Sequence, residues 1–237
     1  MFLPIDTVGR DKQFPIATVA LIVINAIVFA WEMLYMQANG EAAFTVALMN
    51  ITFNFCEVGQ VGAPQLALDG LRSMFLHGSL LHIAGNMMFL WVFGRKVEQY
   101  FGFGWYVVFY LIAGYMAILG HGLLGGITCT VGTEGLIVGA SGAVAGVMGA
   151  FLFLHPDVKI KALVATFTVR IPAIFYLVFW FMMDFVQGIG WYAAEADNVA
   201  RWAHVAGFLF GFVLVFITTM FIKPAPKADP FAYLDEI

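Results

Sequence analysis

The sequence predicts an all-α membrane protein, a bundle of six transmembrane helices with both termini in the cytoplasm. The first observation is composition: 62% of the 237 residues are hydrophobic and 11% are charged, whereas about 25% are charged in soluble domains. The second is that apolar residues form six stretches, most of them near the roughly 20 residues that cross a bilayer. The third is the placement of basic residues between these stretches. A formal net charge of −4 argues against nucleic acid as a partner.

The six stretches predict one membrane domain over residues 14–222, between a cytoplasmic segment (residues 1–13) and a cytoplasmic tail (residues 223–237). Each stretch must pair its own backbone groups in lipid, so each is predicted to be a helix. The first follows two basic residues, as a signal peptide does, but it is too long and lacks a small-residue cleavage site, so we expect a retained helix. In order, the stretches are Phe14–Met36, Met74–Gly94, Gly104–Gly125, Ser141–His155, Ile171–Gly190 and Asn198–Ile222.

Basic residues predict the orientation of the bundle. Nine of the 11 Lys and Arg residues lie in the N-terminal segment, the second and fourth connections or the tail, and only Arg72 and Arg201 lie in odd-numbered connections. Because basic residues favour the cytoplasmic side, both termini are predicted to be cytoplasmic. Helices two, four and six then run from outside to inside.

Four polar side chains lie near the starts of these three inward-running helices. His82 and Asn86 lie on helix two, Ser141 opens helix four, and His204 lies near the start of helix six. Any one of them can be an ordinary packing residue. Polar groups at that depth are costly, however, and four at one level on three helices predict a site facing the protein interior or a wet cavity.

Helix four is too short to cross the membrane. Its 15 residues from Ser141 to His155 span about 22 Å at about 1.5 Å per residue, against a hydrocarbon core of about 30 Å. Residues Gly135–Ala140 must then descend as non-helical backbone, which is tolerated only inside protein or beside water. Ser141 is therefore expected at the floor of a cavity open to the outside.

Helix four and helix six each carry a Gly-x-x-x-Gly pair, at Gly142–Gly146 and Gly207–Gly211. Such faces allow close approach of two helices, and His204 shares the face of the second pair. If the two faces meet, His204 is brought to Ser141 and can activate its hydroxyl by taking its proton.

On helix two, His82 and Asn86 are four residues apart and point the same way. Together with the backbone N–H of Ser141, they can donate hydrogen bonds to a developing oxyanion. These four residues are the parts of an acyl-transfer hydrolase.

Three segments of the chain resemble, in order, the signature regions of rhomboid intramembrane serine proteases. They are "LHGSLLHIAGNMMFLWVFGRKVE" (Leu76–Glu98), "GASG" (Gly139–Gly142) and "AHVAGFLFG" (Ala203–Gly211), and the opening "FPIATVALIVINAIVF" (Phe14–Phe29) resembles the family's first helix. The three signatures fall on helices two, four and six, which makes the resemblance specific.

The resemblance implies a dyad of Ser141 as nucleophile and His204 as general base, without a third acid. It implies an oxyanion hole of His82, Asn86 and the Ser141 amide. It further implies transmembrane protein substrates, cut near their outer ends within the lipid bilayer, and no metal or cofactor. The expected location is the cell (inner) membrane of a prokaryote, with the site open to the extracytoplasmic side.

The chain departs from the family at Ala145, where many members carry an aromatic residue that stacks on the catalytic histidine. Asp184, on helix five, could serve His204, but since the family needs no acid we expect it to make a structural hydrogen bond. Glu98, with Gly94, resembles a family pattern that predicts a structural tie. His77 and His121 are also expected to be structural.

Two further questions stay open on the sequence alone. The two cysteines, Cys56 and Cys129, both fall in predicted external connections, where a disulfide is allowed but cannot be deduced from spacing. The rival functions are a non-catalytic rhomboid-like protein that binds membrane clients and a small-solute transporter. Non-catalytic relatives usually lack the serine or the histidine, and the paired broken helices of many transporters are absent from the sequence pattern.

Overall fold

The computed structural model describes residues 3–9, 11, 13–125, 136–190 and 199–221, and most of these residues are helical. Two short antiparallel sheets accompany the helices. The helices are α1 (Ile16–Asn39), α2 (Glu41–Ile51), α3 (Ala63–Ser73), α4 (Leu80–Phe101), α5 (Phe103–Leu124), α6 (Ser141–Leu154), α7 (Ala173–Gly188) and α8 (Arg201–Phe221). The strands are β1 (Leu3–Thr7), β2 (Phe53–Asn54), β3 (Leu136–Ile137), β4 (Lys159–Val164) and β5 (Phe167–Pro172), and a 3-10 turn covers Phe55–Glu57.

Helix α6 is the centre of the bundle. All residues from Gly142 to Leu152 are buried, and α6 packs against α4, α5, α7 and α8. A helix that is apolar on every side is stable only when other elements surround it. The residue that opens this helix is therefore held by the core of the molecule.

Each of the six predicted stretches overlaps one helix of the bundle, but helix two is displaced along the sequence. It begins at Leu80 rather than Met74, because the Ser79 side chain caps it by accepting the backbone N–H of His82 at 3.2 Å. It continues to Phe101, beyond the predicted end at Gly94. The polar residues of its last turns bond to other parts of the protein, so they do not end the helix.

Among the described residues, three helices are long and apolar enough to cross a membrane: α1, α5 and α8. Helices α6 and α7, at 14 and 16 residues, are shorter. Six spans and cytoplasmic termini therefore stay predictions, and the predicted tail (residues 223–237) lies outside the described residues.

The all-α prediction was too strict, because three strands form a sheet in the order β1-β4-β5. Strand β1 belongs to the N-terminal segment and pairs with β4, so this segment packs on the membrane domain. In β4, Ile160 and Ala162 are buried in strand alternation. This two-residue period over six residues is invisible to a search for long apolar stretches. Strand β5 also takes Ile171 and Pro172 from the predicted fifth helix.

A buried carboxylate fixes each end of α1. Glu98 accepts the backbone N–H groups of Ala17 and Thr18, each at 2.8 Å, which satisfies donors that the start of a helix leaves free. Near the other end, Glu32 accepts the backbone N–H of His77 at 3.0 Å. The structural role predicted for Glu98 is confirmed.

Candidate active site

Ser141 is the first residue of α6, and the chain reaches it through a short strand and a turn that are partly to fully buried. Strand β3 (Leu136–Ile137) pairs with β2, and the backbone N–H of Gly139 donates to the carbonyl of Ser73 at 2.9 Å. Residues 136–140 are non-helical, as predicted; their descent below the membrane surface stays a prediction, and Gly135 lies outside the described residues. These bonds satisfy backbone groups where helix bonds are missing.

Gly139 lies between the side chains of His82 and Ser141. Its φ is +123°, a conformation that favours glycine. A Cβ at this position would lie 2.7 Å from His82 Cε1 and 3.7 Å from Ser141 Oγ. The glycine therefore lets the His82 ring and the Ser141 hydroxyl approach the same short piece of backbone.

The two Gly-x-x-x-Gly faces meet, as the sequence predicts. A Cβ on Gly207 would collide with the carbonyl oxygen of Gly142, and a Cβ on Gly211 would collide with that of Gly146. Small residues at such contacts let the backbones of two helices touch. This contact brings the start of α8, which carries His204 in its first turn, to the start of α6.

His204 is held from the side of α7. Its Nδ1 lies 2.8 Å from Asp184 Oδ2, and the other carboxylate oxygen accepts a hydrogen bond from Arg201 at 3.1 Å. The Trp180 ring lies against the His204 ring, with centroids 5.8 Å apart and planes at 34°. The aspartate that we expected to be structural thus contacts the predicted base directly.

Asn86 is buried, and its Nδ2 has no hydrogen-bond partner among the described residues. A buried amide donor that stays unpaired costs free energy unless it serves another purpose. The His82 ring packs edge to face on the ring of His77, with centroids 5.2 Å apart. His77 is fully buried, and its backbone N–H is held by Glu32.

A cavity of about 20 Å³ borders Ser141. Its lining also includes Gly139, Gly142, Ser73 and Ala203. A volume of this size can hold one water molecule. The site therefore has space for a small polar reactant beside the hydroxyl.

Among the described residues, neither Cys56 nor a metal-binding group adds to this region. Cys56 is disulfide-bonded, and its candidate partner Cys129 lies outside the described residues. In the part of the chain that the structure describes, no three His, Cys, Asp or Glu side chains are grouped so as to hold a metal ion.

Sequence reasoning missed the ring that contacts His204 and undervalued the acid beside it. Trp180 and Asp184 are four residues apart on α7, so they share one face, and Asp184 is the only charged residue of that helix. Arg201 and His204 are likewise three residues apart on α8. These spacings were available in the sequence, but they do not say which helices face each other.

Comparison with known proteins gives a consistent set of relatives. A family model described as Rhomboid domain matches residues 68–221. RHOMBOID-like protein 1 of Arabidopsis thaliana is 26% identical over 228 residues, which cover 86% of this chain and 53% of that protein. RHOMBOID-like protein 5 of the same plant is 33% identical over 69% of this chain and 48% of its own length. Rhomboid protease GluP of Bacillus subtilis (strain 168) is 29% identical over 73% of this chain and 34% of that protein. The chain spans about half the length of the first two relatives and about a third of the last.

Proposed function

The chain belongs to the rhomboid family, and on that premise we propose that it is an intramembrane serine endopeptidase that cuts transmembrane segments of other membrane proteins. The observation that carries the proposal is the contact between the glycine faces of α6 and α8, which joins the helices that bear Ser141 and His204. One relative of this chain is named a rhomboid protease. Family membership and the chemistry of these residues point to the same reaction.

The proposed reaction begins when Ser141 Oγ attacks a peptide carbonyl carbon while His204 takes the hydroxyl proton. The carbonyl oxygen becomes an oxyanion, which accepts hydrogen bonds from the Ser141 backbone N–H, His82 and the Asn86 amide. His204 then returns the proton to the leaving amine, and the acyl group stays on Ser141. Water, deprotonated by His204, attacks this ester. His204 then returns that proton to Ser141 Oγ as the acyl–oxygen bond breaks, which releases the second product with its new carboxyl group.

Two features of the site support this sequence of steps. The Nδ2 of Asn86, which has no partner within the described part of the chain, is a donor that can bind charge that develops only in the transition state. The cavity beside Ser141 has room for the water that the second half-reaction consumes. The substrate would reach this site from the lipid bilayer, near the outer end of its own helix.

The chain is a multi-pass membrane protein of its family. We propose cytoplasmic termini, a site that opens to the extracytoplasmic side, and residence in the inner membrane of a prokaryote. The relatives also include plant and mitochondrial members. The direct test of the proposed orientation is a topology reporter fused after Ile237. Its activity on the cytoplasmic side is expected, and activity only on the outer side would contradict the proposed orientation.

The test of function compares purified wild type with Ser141→Ala and His204→Ala on a panel of single-pass membrane proteins in liposomes. We expect wild type to cut at least one of them and to be labelled at Ser141 by a fluorophosphonate. Each variant should lose cleavage, and the double variant should lose no more than either single one, since nucleophile and base act as a unit.

The same experiment separates the rival functions. A non-catalytic client-binding protein would show neither labelling nor cleavage, and its client binding would not respond to Ser141→Ala. A transporter would show solute flux that both variants retain. Cleavage by Ser141→Ala, in a preparation free of other proteases, would exclude the serine mechanism.

A further inference from the structure

We propose that Asp184 is a positioning residue of this site: its carboxylate fixes the tautomer and the orientation of His204. This inference rests on the proposed function and adds an acid to a reaction for which the resemblance implies only a dyad. The juxtaposition that carries it is one buried carboxylate shared between the ring of His204 and the guanidinium of Arg201.

The carboxylate decides which ring nitrogen of His204 carries the proton. An ionised carboxylate only accepts hydrogen bonds, so Nδ1, at 2.8 Å from Asp184 Oδ2, must be the donor. In the neutral ring Nε2 is then an acceptor. An acceptor at Nε2 is what a base needs to take the proton of a serine hydroxyl.

Arg201 keeps this carboxylate charged when His204 is neutral. The side chains of Asp184 and Arg201 are only 12% and 16% exposed, and a charge so far from water must be paired. The guanidinium supplies a permanent positive partner at 3.1 Å. Asp184 is therefore available as an acceptor before the base has gained its proton, and it stabilises the imidazolium that forms afterwards.

Trp180 completes the positioning from the same helix. It lies one turn before Asp184 on α7, and its ring packs on His204 with centroids 5.8 Å apart. The aromatic residue that many family members carry on the helix of the nucleophile is replaced by Ala145, which is fully buried. Helix α7 thus supplies both a ring and a hydrogen-bond acceptor to the histidine.

The kinetic test uses Asp184→Asn, which keeps the shape of the side chain and removes its charge. Its amide can donate to Nδ1 and stabilise the wrong tautomer, so we expect kcat to fall by about 10² or more, with KM unchanged; in a soluble Ser-His-Asp enzyme the same change costs about 10⁴. Asp184→Glu, which retains the carboxylate, should recover part of kcat. Labelling by a fluorophosphonate should slow in parallel.

Asp69→Asn is the matched control. Like Asp184, Asp69 is buried and bonds to an arginine. Its partner is Arg72, three residues further along the same helix, at 3.0 Å. Asp69 makes no contact with His204. We expect Asp69→Asn to alter thermal stability but not kcat, so an equal loss of kcat in both variants would overturn the positioning role.

The tautomer itself is measurable without any substrate. In protein labelled with ¹⁵N-histidine, the His204 signals, assigned by their loss in His204→Ala, should show Nδ1 protonated and Nε2 bare in wild type. Asp184→Asn should shift the proton towards Nε2, and Asp184→Glu should not. An Nε2-protonated ring in wild type would overturn the inference.

These outcomes separate the inference from the proposed function. If wild type cuts in a Ser141-dependent way and Asp184→Asn keeps its kcat, only the role of Asp184 fails. If wild type cuts nothing, the proposed function fails. The ¹⁵N signals of His204 then still show whether Asp184 fixes the tautomer of that ring.

Discussion

Both ends of the helix bundle contain an aspartate shared by two basic side chains, and the two aspartates have different uses. At the end where α6 and α8 begin, called the site end here, Asp184 binds His204 and Arg201. At the opposite end, called the sheet end, Asp6 binds Arg95 at 2.7 Å and Lys161 at 2.8 Å.

The two clusters differ in exposure and in the partners they hold. The Asp184 side chain is 12% exposed, whereas that of Asp6 is 38% exposed. Arg95 and Lys161 join β1 to α4 and β4 through these bonds. His204 keeps a second ring nitrogen after it has bonded to Asp184. The two shared carboxylates therefore differ in one respect: a partner of Asp184, the His204 ring, can still exchange a proton, whereas the partners of Asp6 hold parts of the fold together.

Helix α4 runs from the site end to the sheet end, and the polar residues of its first and last turns differ in their hydrogen bonding. Its first turns carry His82 and Asn86, where an amide donor stays unpaired among the described residues. Its last turns carry Glu98, which accepts three hydrogen bonds from α1. Both oxygens of the Glu98 carboxylate are paired with α1, whereas the Asn86 amide has a donor without a partner among the described residues.

Among the variants that compare the two ends, Asn86→Ala at the site end should cause the largest loss of kcat. It removes one of the proposed donors to the oxyanion, and loss of one such donor typically lowers the rate by about 10²–10³. We expect that fall in kcat while the protein stays folded. Asn25→Ala is the control, since Asn25 is buried on α1 but its Nδ2 is already bonded to Leu21 O at 2.8 Å. Similar kinetics for Asn86→Ala and wild type would remove α4 from the mechanism.

Gly211→Ala should affect stability and activity together, because it acts on the contact that assembles the site end. The new methyl would meet the backbone of Gly146, which has no flexible side chain to move. Overpacking of this kind typically costs about 1–3 kcal/mol, measured as the free energy of unfolding in detergent. Gly104→Ala is the matched control in a helix, since nothing lies within 4 Å of its Cβ. A tolerated Gly211→Ala would mean that α6 and α8 do not touch as described.

The smallest effect should come from Asp6→Asn at the sheet end. Solvent screens this pair, and exposed ion pairs contribute about 0–1 kcal/mol, so a slight loss of thermal stability with unchanged kcat is expected. A large fall in kcat would show that the two ends are coupled and would contradict a purely structural role for Asp6.

Acid should have the same effect on this cluster as the substitution. Burial raises the pKa of Asp6, but hydrogen bonds from Lys161 and Arg95 outweigh it and hold the pKa of that carboxyl below its ordinary value of 3.8. A carboxyl with a lowered pKa in the folded state stabilises the protein above its unfolded pKa. The contribution is lost as the pH falls through the folded value. The difference in stability between wild type and Asp6→Asn should therefore shrink as the pH falls below 3.8 and vanish once the pH is below the folded pKa, and a constant difference would contradict this origin.

The sequence contained the site as a set of spacings. His82 and Asn86 share a face because they are four residues apart, and Ser141 opens a helix too short to cross the bilayer. The glycine pairs predicted the contact between α6 and α8 for a simple reason: only residues without side chains allow two backbones to touch. The sheet escaped prediction because its pattern is short, and β1 and β4 are more than 150 residues apart in the chain.

The sequence by itself determined a helical membrane protein of one family, the four polar residues of its candidate site, and the two helices that must meet. Only the tertiary structure decided what holds the proposed base. Spacing places Trp180 and Asp184 on one face of α7 and places Arg201 and His204 on one face of α8, but it does not orient one helix against the other. That orientation follows from packing of the apolar faces, and it places the carboxylate of Asp184 2.8 Å from Nδ1 of His204.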